Sequence, residues 1–370
     1  MELTRRDVLR GITTTGTIAL VAESRSFSSV SAAPAESSSV PWPESHGSPV
    51  IDSLRPVIER SRDVRTNHDK VKEVASWMAY EELPLPNLAV PFGMEKTPDV
   101  AIDFIMVGNA IDTAFTDFKS HVKFQIDYAG EHHSDSDAMF ACLKRAMDNG
   151  SPVLDGAFLA KLSRDNMAKI FAGNIEMPML DEKLDLFHQV GGVLAAKYGG
   201  HFYNFIKSCS PKLYDNGKGL VERLAAEFPR FNDVSEYDGH SIKIFKLTQL
   251  GYWQLYTGLR GTGAFKLEDP QKMTAFADYI VPVGLRLMGI TSYSPQLEKA
   301  INTYQMIPRN SKWEIEIRAH CLYATALLTD EINKIRPAAE QVIIPQIDAR
   351  FWTHFHTTDW PHHLTKTIMY

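Results

Sequence analysis

The chain has 370 residues, 44% of them hydrophobic, and a formal net charge of −6 at pH 7. A chain of this length can bury a substantial core, in one large domain or two smaller ones. Its acidic balance argues against a surface that neutralises many phosphates, so no nucleic acid polymer is expected as a partner, although a local basic pocket could still bind one small phosphate.

The first 49 residues differ in composition from the rest of the chain. Residues 4–10 contain Arg5-Arg6 and precede a weakly apolar stretch, which together resemble a twin-arginine export signal. The Ser-, Ala- and Pro-rich run that follows equally suits a cleaved organellar presequence or a disordered tail. Such a composition cannot bury enough apolar surface to order itself. We therefore expect a targeting or disordered segment over residues 1–49 and one folded domain over residues 50–370.

Two nearby stretches suggest a small β element. Residues 102–107 form a short run in which every residue except Asp103 is apolar. Further along, Val122, Phe124 and Ile126 alternate with polar residues before a turn at Ala129-Gly130, as the residues of a half-buried strand do. We predict a small β element near residues 102–128.

Helical spacing dominates the remainder of the domain. Apolar residues recur at intervals of three and four in three stretches: Leu184, Phe187, Val190 and Leu194; Leu220, Leu224 and Phe228; and Ile317, Cys321, Ala324 and Leu328. Each pattern predicts a helix with an apolar stripe toward the core. The predicted fold class is therefore mainly α, as a single globular domain.

Lys246 is a candidate site residue because its neighbours in residues 242–249 are largely apolar. These neighbours would remove its ammonium group from water, and a buried lysine requires a carboxylate nearby. Asp278 is one possible partner. The alternative is that the aliphatic stem packs while the charged end reaches solvent.

Asp278 is the strongest candidate for a catalytic residue. It lies among apolar residues shortly before Pro282, a residue that suits the first turn of a helix. Taking a carboxylate out of water costs free energy unless the group is paired or used, so such positions are enriched in functional sites. Alternatively, Asp278 caps the helix or pairs with a buried arginine.

The C-terminal region combines an acid with aromatic residues. Asp348 and Trp352 are four residues apart and would share one face of a helix, where a ring could stack on a planar base while the carboxylate accepts from its amino group. The alternative is a helix that docks on the core through Phe351 and Phe355. Upstream, the charges of residues 314–318 are either first-turn charges or a buried ion pair that supports the site.

Cysteine and histidine usage predicts neither a disulfide framework nor a metal centre. The three cysteines are far apart and form no C-x-x-C pair, which indicates small core residues in a reducing compartment. The histidines match no zinc spacing, so no metal and no cofactor is expected.

No stretch after residue 49 has the roughly 20 apolar residues of a membrane-spanning helix, so the mature chain should work away from the membrane, in the cytoplasm or an organelle.

Taken in order, several segments resemble the queuosine salvage proteins, the queuosine 5′-phosphate N-glycosylase/hydrolase family. They are Ser61-Arg62-Asp63-Val64, Met177-Pro178, Phe228-Pro229-Arg230-Phe231-Asn232-Asp233, Phe245-Lys246 with Gln249, Phe276-Ala277-Asp278-Tyr279, Tyr293-Ser294, Glu314 to Arg318, and Pro361-His362-His363 with the final Tyr370. The resemblance implies a fold similar to helical DNA glycosylases. It also implies the metal-free release of the 7-deazaguanine base queuine from a nucleoside monophosphate, so that the partner is a small-molecule nucleotide substrate.

The resemblance also assigns roles to residues of this chain. Asp278 would be the catalytic carboxylate and Lys246 its neighbour in the site. The substrate-binding residues would be Phe231, Asp233, Phe276 and Tyr279, with Asp348 and Trp352 in the wall around the base.

The chain also departs from the usual pattern of this family. Leu247 and Ile280 stand where relatives carry arginine, Thr353 where they carry aspartate and Ala326 where they carry glutamate. Lost cations would weaken the grip on a phosphate. An alternative function is therefore a non-catalytic nucleoside-binding relative that kept the scaffold.

Overall fold

The computed structural model describes residues 40–43, 47–86 and 90–370. The predicted targeting segment, residues 1–49, lies almost entirely outside the described residues and stays a prediction. In the described part of the chain, no helix is both long and apolar enough to cross a membrane.

Helices provide most of the regular structure, which confirms the predicted mainly α fold class. In chain order they are α1 (Pro49–Ser53), α2 (Arg55–Arg60), α3 (His68–Met78), α4 (Pro98–Ala110), α5 (Asp135–Asp148), α6 (Gly156–Leu159), α7 (Arg164–Ile170), α8 (Leu180–Lys197), α9 (Phe202–Lys207), α10 (Leu220–Glu227), α11 (Lys246–Gly258), α12 (Ile280–Leu287), α13 (Pro295–Asn302), α14 (Lys312–Ile335) and α15 (Ile344–Phe355). The strands are β1 (Val64–Thr66), β2 (Gln125–Tyr128), β3 (Glu131–Ser134), β4 (Val234–Tyr237), β5 (His240–Lys243) and β6 (Thr291–Tyr293).

The strands form three separate antiparallel pairs rather than one sheet. β2 pairs with β3 and β4 with β5 as hairpins, whereas β1 pairs with the distant β6, with Val64 opposite Tyr293. In the first hairpin the two turn residues, Ala129 and Gly130, have φ of 52° and 79°, as a two-residue turn between twisted strands requires.

The prediction of β structure near residues 102–128 was only partly right. The alternating segment does form β2, and Phe124 and Ile126 are buried as expected. The apolar run at residues 102–107, however, lies inside helix α4. Every residue of α4 from position 101 onward is buried, so no polar face interrupts the run and its periodicity cannot be told from that of a buried strand.

The three predicted helical stripes lie in or beside α8, α10 and α14. Only Phe228 falls outside, immediately after α10. α14 is the central helix of the domain: residues 314–329 are all buried, and it packs against α2, α3, α12 and α15. Its stripe therefore marks a helix that is covered on every face.

Glu316 on α14 connects the central helix to strand β1. Although it is only 1% exposed, its carboxylate accepts hydrogen bonds from the backbone N–H groups of Arg62, Asp63 and Val64, and from the Tyr237 hydroxyl at 2.7 Å. One buried carboxylate thus satisfies three consecutive backbone donors that have left water.

Helix α15 docks closely on α12. A Cβ atom on Gly284 would lie 2.4 Å from a ring carbon of Phe355 and 2.6 Å from one of Phe351, so only glycine permits this approach. The Phe351 side chain is buried in this contact. The docking alternative for the C-terminal helix is therefore confirmed, and the docking fixes α15 beside the helix that follows Asp278.

We predict that Glu316→Gln destabilises the protein by about 3 kcal/mol, because an amide nitrogen would face buried backbone donors that now bond to a carboxylate. Glu59→Gln is the matched control, since Glu59 pairs with Arg55 at the surface. Its effect should stay below about 0.5 kcal/mol. Urea unfolding followed by circular dichroism measures both, and equal midpoints for the two variants would contradict the role of Glu316.

Candidate active site

Asp278 lies two residues before the start of α12, and its two carboxylate oxygens have different surroundings. The residue is 8% exposed. Oδ1 accepts hydrogen bonds from the backbone N–H groups of Ile280 at 2.8 Å and Val281 at 3.2 Å, so the capping alternative is correct for this oxygen. Oδ2 accepts no hydrogen bond from any residue that the structure describes. The helix therefore positions the carboxylate and leaves one oxygen for a ligand.

Lys246 begins α11 and is 7% exposed. Its Nζ atom donates no hydrogen bond and forms no direct ion pair within the described ranges. It is nevertheless close enough to Asp278 to act on its pKa. Burial raises the pKa of Asp278, and Lys246, the two backbone N–H groups and His362 partly oppose that rise. Two opposite charges, both nearly buried, thus retain unused hydrogen-bonding capacity in the same region.

Two side chains hold the loop that leads to Asp278. The Gln249 side chain on α11 accepts from the backbone N–H of Thr274 and donates to its hydroxyl, both at 2.9 Å. Asp348 on α15 accepts from the backbone N–H of Phe276 through Oδ1 at 2.8 Å. The loop is therefore fixed from two helices before the chain reaches Asp278.

Arg318 on α14 supplies the third contact to this loop and joins it to α11. Its Nε atom donates to the carbonyl of Ala277 at 3.0 Å, while its two terminal nitrogens donate to Asp233 at 3.0 and 2.6 Å. Asp233 Oδ2 in turn accepts from the backbone N–H of Lys246 at 3.3 Å. One guanidinium group thus sets the position of Asp278 relative to Lys246.

The charges around Arg318 form a buried network. Burial opposes the ionisation of Asp233, but Arg318 and Arg309 outweigh it and hold the pKa of Asp233 below its ordinary value. Glu314 contacts the same two arginines, at 2.9 Å from Arg309 and 3.5 Å from Arg318. Residues 314–318 therefore contain the buried ion pair that the sequence left open.

The pKa of Asp348 is raised further than that of Asp278. Burial raises the pKa of Asp348 well above its ordinary value, and the nearby charge of Asp278 raises it further. Asp278 has more compensation, from Lys246 and from two backbone donors. Because the two carboxylates interact, Asp278 should ionise first while Asp348 keeps its proton.

Tyr279 and His362 form an aromatic pair beside Asp278. Tyr279 is 37% exposed, and the centre of its ring lies 4.6 Å from that of His362. Sequence reasoning gave His362 no role, although Pro361-His362-His363 belonged to the family resemblance. Residues 279 and 362 are far apart in the chain, and no local pattern signals their contact.

The other sequence-predicted residues are placed less directly. Phe231 is buried in an aromatic cluster with Phe202 and Phe228. Phe276 is also buried, while Trp352, one turn beyond Asp348, stacks on His356 at 4.5 Å. The structure thus brings together Asp278, Lys246, Asp348 and Tyr279, and it uses Asp233 as their support. Contact of any of these residues with a substrate stays a prediction.

No group of three metal-binding side chains that could hold an ion occurs among the residues the structure describes. The ionisable groups at this site are the carboxyl groups of Asp278 and Asp348, the Lys246 amino group and the His362 imidazole. Such a set can stabilise a cation, donate a proton and accept one.

Known proteins resemble this chain over most of its length. The family model for queuosine salvage proteins matches residues 92–370, three quarters of the chain. At least six relatives bear the name queuosine 5′-phosphate N-glycosylase/hydrolase, among them those from Sphaerobacter thermophilus, Mus musculus and Schizosaccharomyces pombe. The relative from Sphaerobacter thermophilus is 30% identical over 324 residues, which cover 87% of this chain and 97% of the relative. The relative from Mus musculus is 26% identical over 338 residues, 86% of this chain and 98% of the relative.

The third relative, from Schizosaccharomyces pombe, is 29% identical over 294 residues, covering 74% of this chain and 83% of the relative. The segments that carried the resemblance from residue 228 onward all lie inside the matched range, together with Lys246, Asp278 and Asp348. The chain belongs to the queuosine salvage protein family.

Proposed function

We propose that this protein hydrolyses the N-glycosidic bond of queuosine 5′-phosphate, or of a close 7-deazapurine nucleotide, and releases queuine for salvage into tRNA modification. The single observation that carries the proposal is the nearness of Asp278 and Lys246, which form no direct ion pair in the described residues. Both groups are nearly buried, and both keep a polar atom unpaired toward the same region. Leaving charges unpaired costs stability, and such sites are typically functional. The names of the relatives specify the substrate.

Asp278 would act through its charge. As the base leaves, positive charge develops on the sugar, and a fixed carboxylate about 4 Å away stabilises it by roughly 4 kcal/mol at an effective dielectric of ~20. This energy corresponds to about a thousandfold in rate. The helix N-terminus holds Oδ1 in place, so Oδ2 is already oriented before the substrate binds.

The leaving base needs help of a different kind. A 7-deazaguanine has carbon at position 7 and cannot be protonated there, so hydrogen bonds must act at its other edges. Burial and the Asp278 charge raise the pKa of Asp348 well above its ordinary value, which favours the protonated form. Asp348 can therefore donate to the departing base while Oδ1 stays on the Phe276 backbone.

The reaction balances without a cofactor. The bond between the anomeric carbon and the base nitrogen breaks, and its electron pair leaves with the base, which gains one proton. Water forms the new bond to the anomeric carbon and loses one proton. The products are queuine and ribose 5-phosphate.

A non-catalytic relative remains the second candidate, and one observation favours it. Leu247 and Ile280 are both buried apolar residues in the first turns of α11 and α12, where relatives would carry cations. A substrate phosphate would thus find fewer positive charges near Lys246 and Asp278.

We predict that Asp278→Asn lowers the release of queuine from queuosine 5′-phosphate about a thousandfold, since it removes the charge that stabilises the sugar cation. Asparagine keeps an oxygen that can cap α12, so the fold is preserved. Chromatographic detection of queuine measures release, and calorimetry measures binding. A folded wild type that binds the nucleotide and releases no queuine would instead establish the non-catalytic candidate.

We further predict that Asp278→Asn is more stable than wild type at pH 7. Because the folded-state pKa of Asp278 is raised, its ionisation in the folded state destabilises wild type as pH rises from the ordinary aspartate range through that raised pKa. The stability difference should therefore be larger at pH 7 than at pH 4, and it should vanish toward pH 4, within the ordinary aspartate range. Urea unfolding at both pH values checks this, and a variant less stable at pH 7 would contradict it.

Arg318→Lys should lower queuine release about 100-fold, because a lysine cannot hold Asp233 and the Ala277 carbonyl together and Asp278 would shift. Arg309→Lys is the matched control, since Arg309 also contacts Asp233 and Glu314 but not the loop. Both variants should lose stability, and only the first should lose most of its kcat. Equal losses of kcat would show that the network acts on stability alone.

A further inference from the structure

His362 is held firmly although it lies in the segment after the last helix. Arg286 on α12 donates to the carbonyl of the preceding Pro361 at 3.0 Å. On the other side of His362, the Leu364 carbonyl accepts from the backbone N–H of Ile307 at 2.7 Å. The His362 ring packs against Tyr279, the residue next to Asp278. The imidazole is therefore fixed in position beside the candidate site.

The hydrogen bonds of His362 define its tautomer. Nδ1 lies 2.9 Å from the carbonyl oxygen of His363, and a carbonyl oxygen can only accept, so Nδ1 carries the hydrogen. In the neutral ring, Nε2 is then a lone-pair acceptor. No residue in the described parts of the chain bonds to Nε2. The ring thus presents an unused proton acceptor next to Asp278.

Two charged groups act on His362, namely Asp278 and Lys123. Burial lowers the pKa of His362, while the hydrogen bond to His363 and the Asp278 charge raise it and Lys123 lowers it. Lys123 is itself paired with Asp135 at 2.9 Å. The net result is a neutral imidazole at pH 7, the form that can accept a proton.

Within the proposed hydrolysis, we infer that His362 is the general base that takes the proton from the attacking water through Nε2. This inference rests on the proposed function. Water forms its bond to the anomeric carbon as one of its hydrogens passes to Nε2, and the imidazolium later returns that proton to solvent. Asp278 can then stay ionised opposite the sugar cation throughout, and Asp348 supplies the proton to the base. Three groups thereby divide the roles of stabiliser, acid and base.

The test is the pH dependence of queuine release by His362→Asn. The asparagine side chain keeps an N–H donor for the His363 carbonyl but offers no basic nitrogen to water. We expect kcat to fall about 100-fold, the lower range for the loss of a general base. In wild type two groups, His362 and Asp278, must lose protons, so log kcat should rise with pH at a slope approaching two. In the variant only Asp278 remains and the slope should be about one.

Two further variants complete the experiment. His354→Asn, at an exposed histidine of α15, is the matched control and should keep wild-type kcat and slope. His362→Ala removes the ring, and added imidazole should restore part of the lost rate, which no structural role would explain. This rescue also decides the case if His362→Asn folds poorly.

The outcomes separate this inference from the function on which it rests. Release by wild type with unchanged kcat and slope in His362→Asn would overturn the role of His362 and leave the hydrolase proposal intact. A lower kcat with an unchanged slope and no rescue by imidazole would reduce His362 to a packing residue. Absence of release by folded wild type would overturn both.

Discussion

The site depends on one buried guanidinium group. Arg318 is fully buried, and its desolvation is compensated by Asp233, by the Ala277 carbonyl and by the Tyr370 ring, whose centre lies 4.2 Å away. These contacts reach different parts of the chain, since Asp233 supports the start of α11 and Ala277 precedes Asp278. An arginine can bridge them because its planar fork binds a carboxylate with two nitrogens and leaves the third for the carbonyl. The relative positions of Lys246 and Asp278 therefore follow from the shape of a single side chain.

The backbone surroundings favour the charge of Asp278 and disfavour the charge of Lys246. Asp278 precedes a helix N-terminus, where its negative charge is favourable. Lys246 begins a helix, where its positive charge is unfavourable, and the residue before it, Phe245, has φ of 52° in the left-handed region that bulky residues avoid. The backbone N–H of Lys246 is held by Asp233. The strained backbone of Phe245 and the unfavourably placed charge of Lys246 persist only because the surrounding structure enforces them, which is characteristic of functional sites.

Sequence reasoning found the parts of the molecule whose signals are local. Asp278 and Lys246 stood out because charged residues rarely occur among apolar neighbours, and the helices α8, α10 and α14 followed from spacing. Helix α4 was taken for a strand because burial on every face removed the polar positions that reveal a helix. The contact of Arg318 with Asp233 spans 85 residues, and only the folded chain reveals it. His362 and Tyr279 meet for the same reason, through packing of the C-terminal segment that no periodicity predicts.

The division of protonation states follows from geometry rather than from residue type. Two aspartates near each other cannot ionise equally in a buried site, so the group with more compensation becomes the anion. Lys246 lowers the pKa of both carboxyl groups, but Asp278 has two backbone donors whereas Asp348 has one, the N–H of Phe276. The hydrogen bond from Phe276 thus positions the loop before Asp278, and it is too little to offset the burial that raises the pKa of Asp348. Loop placement and the difference between the two carboxyl pKa values are in this way consequences of the same contacts.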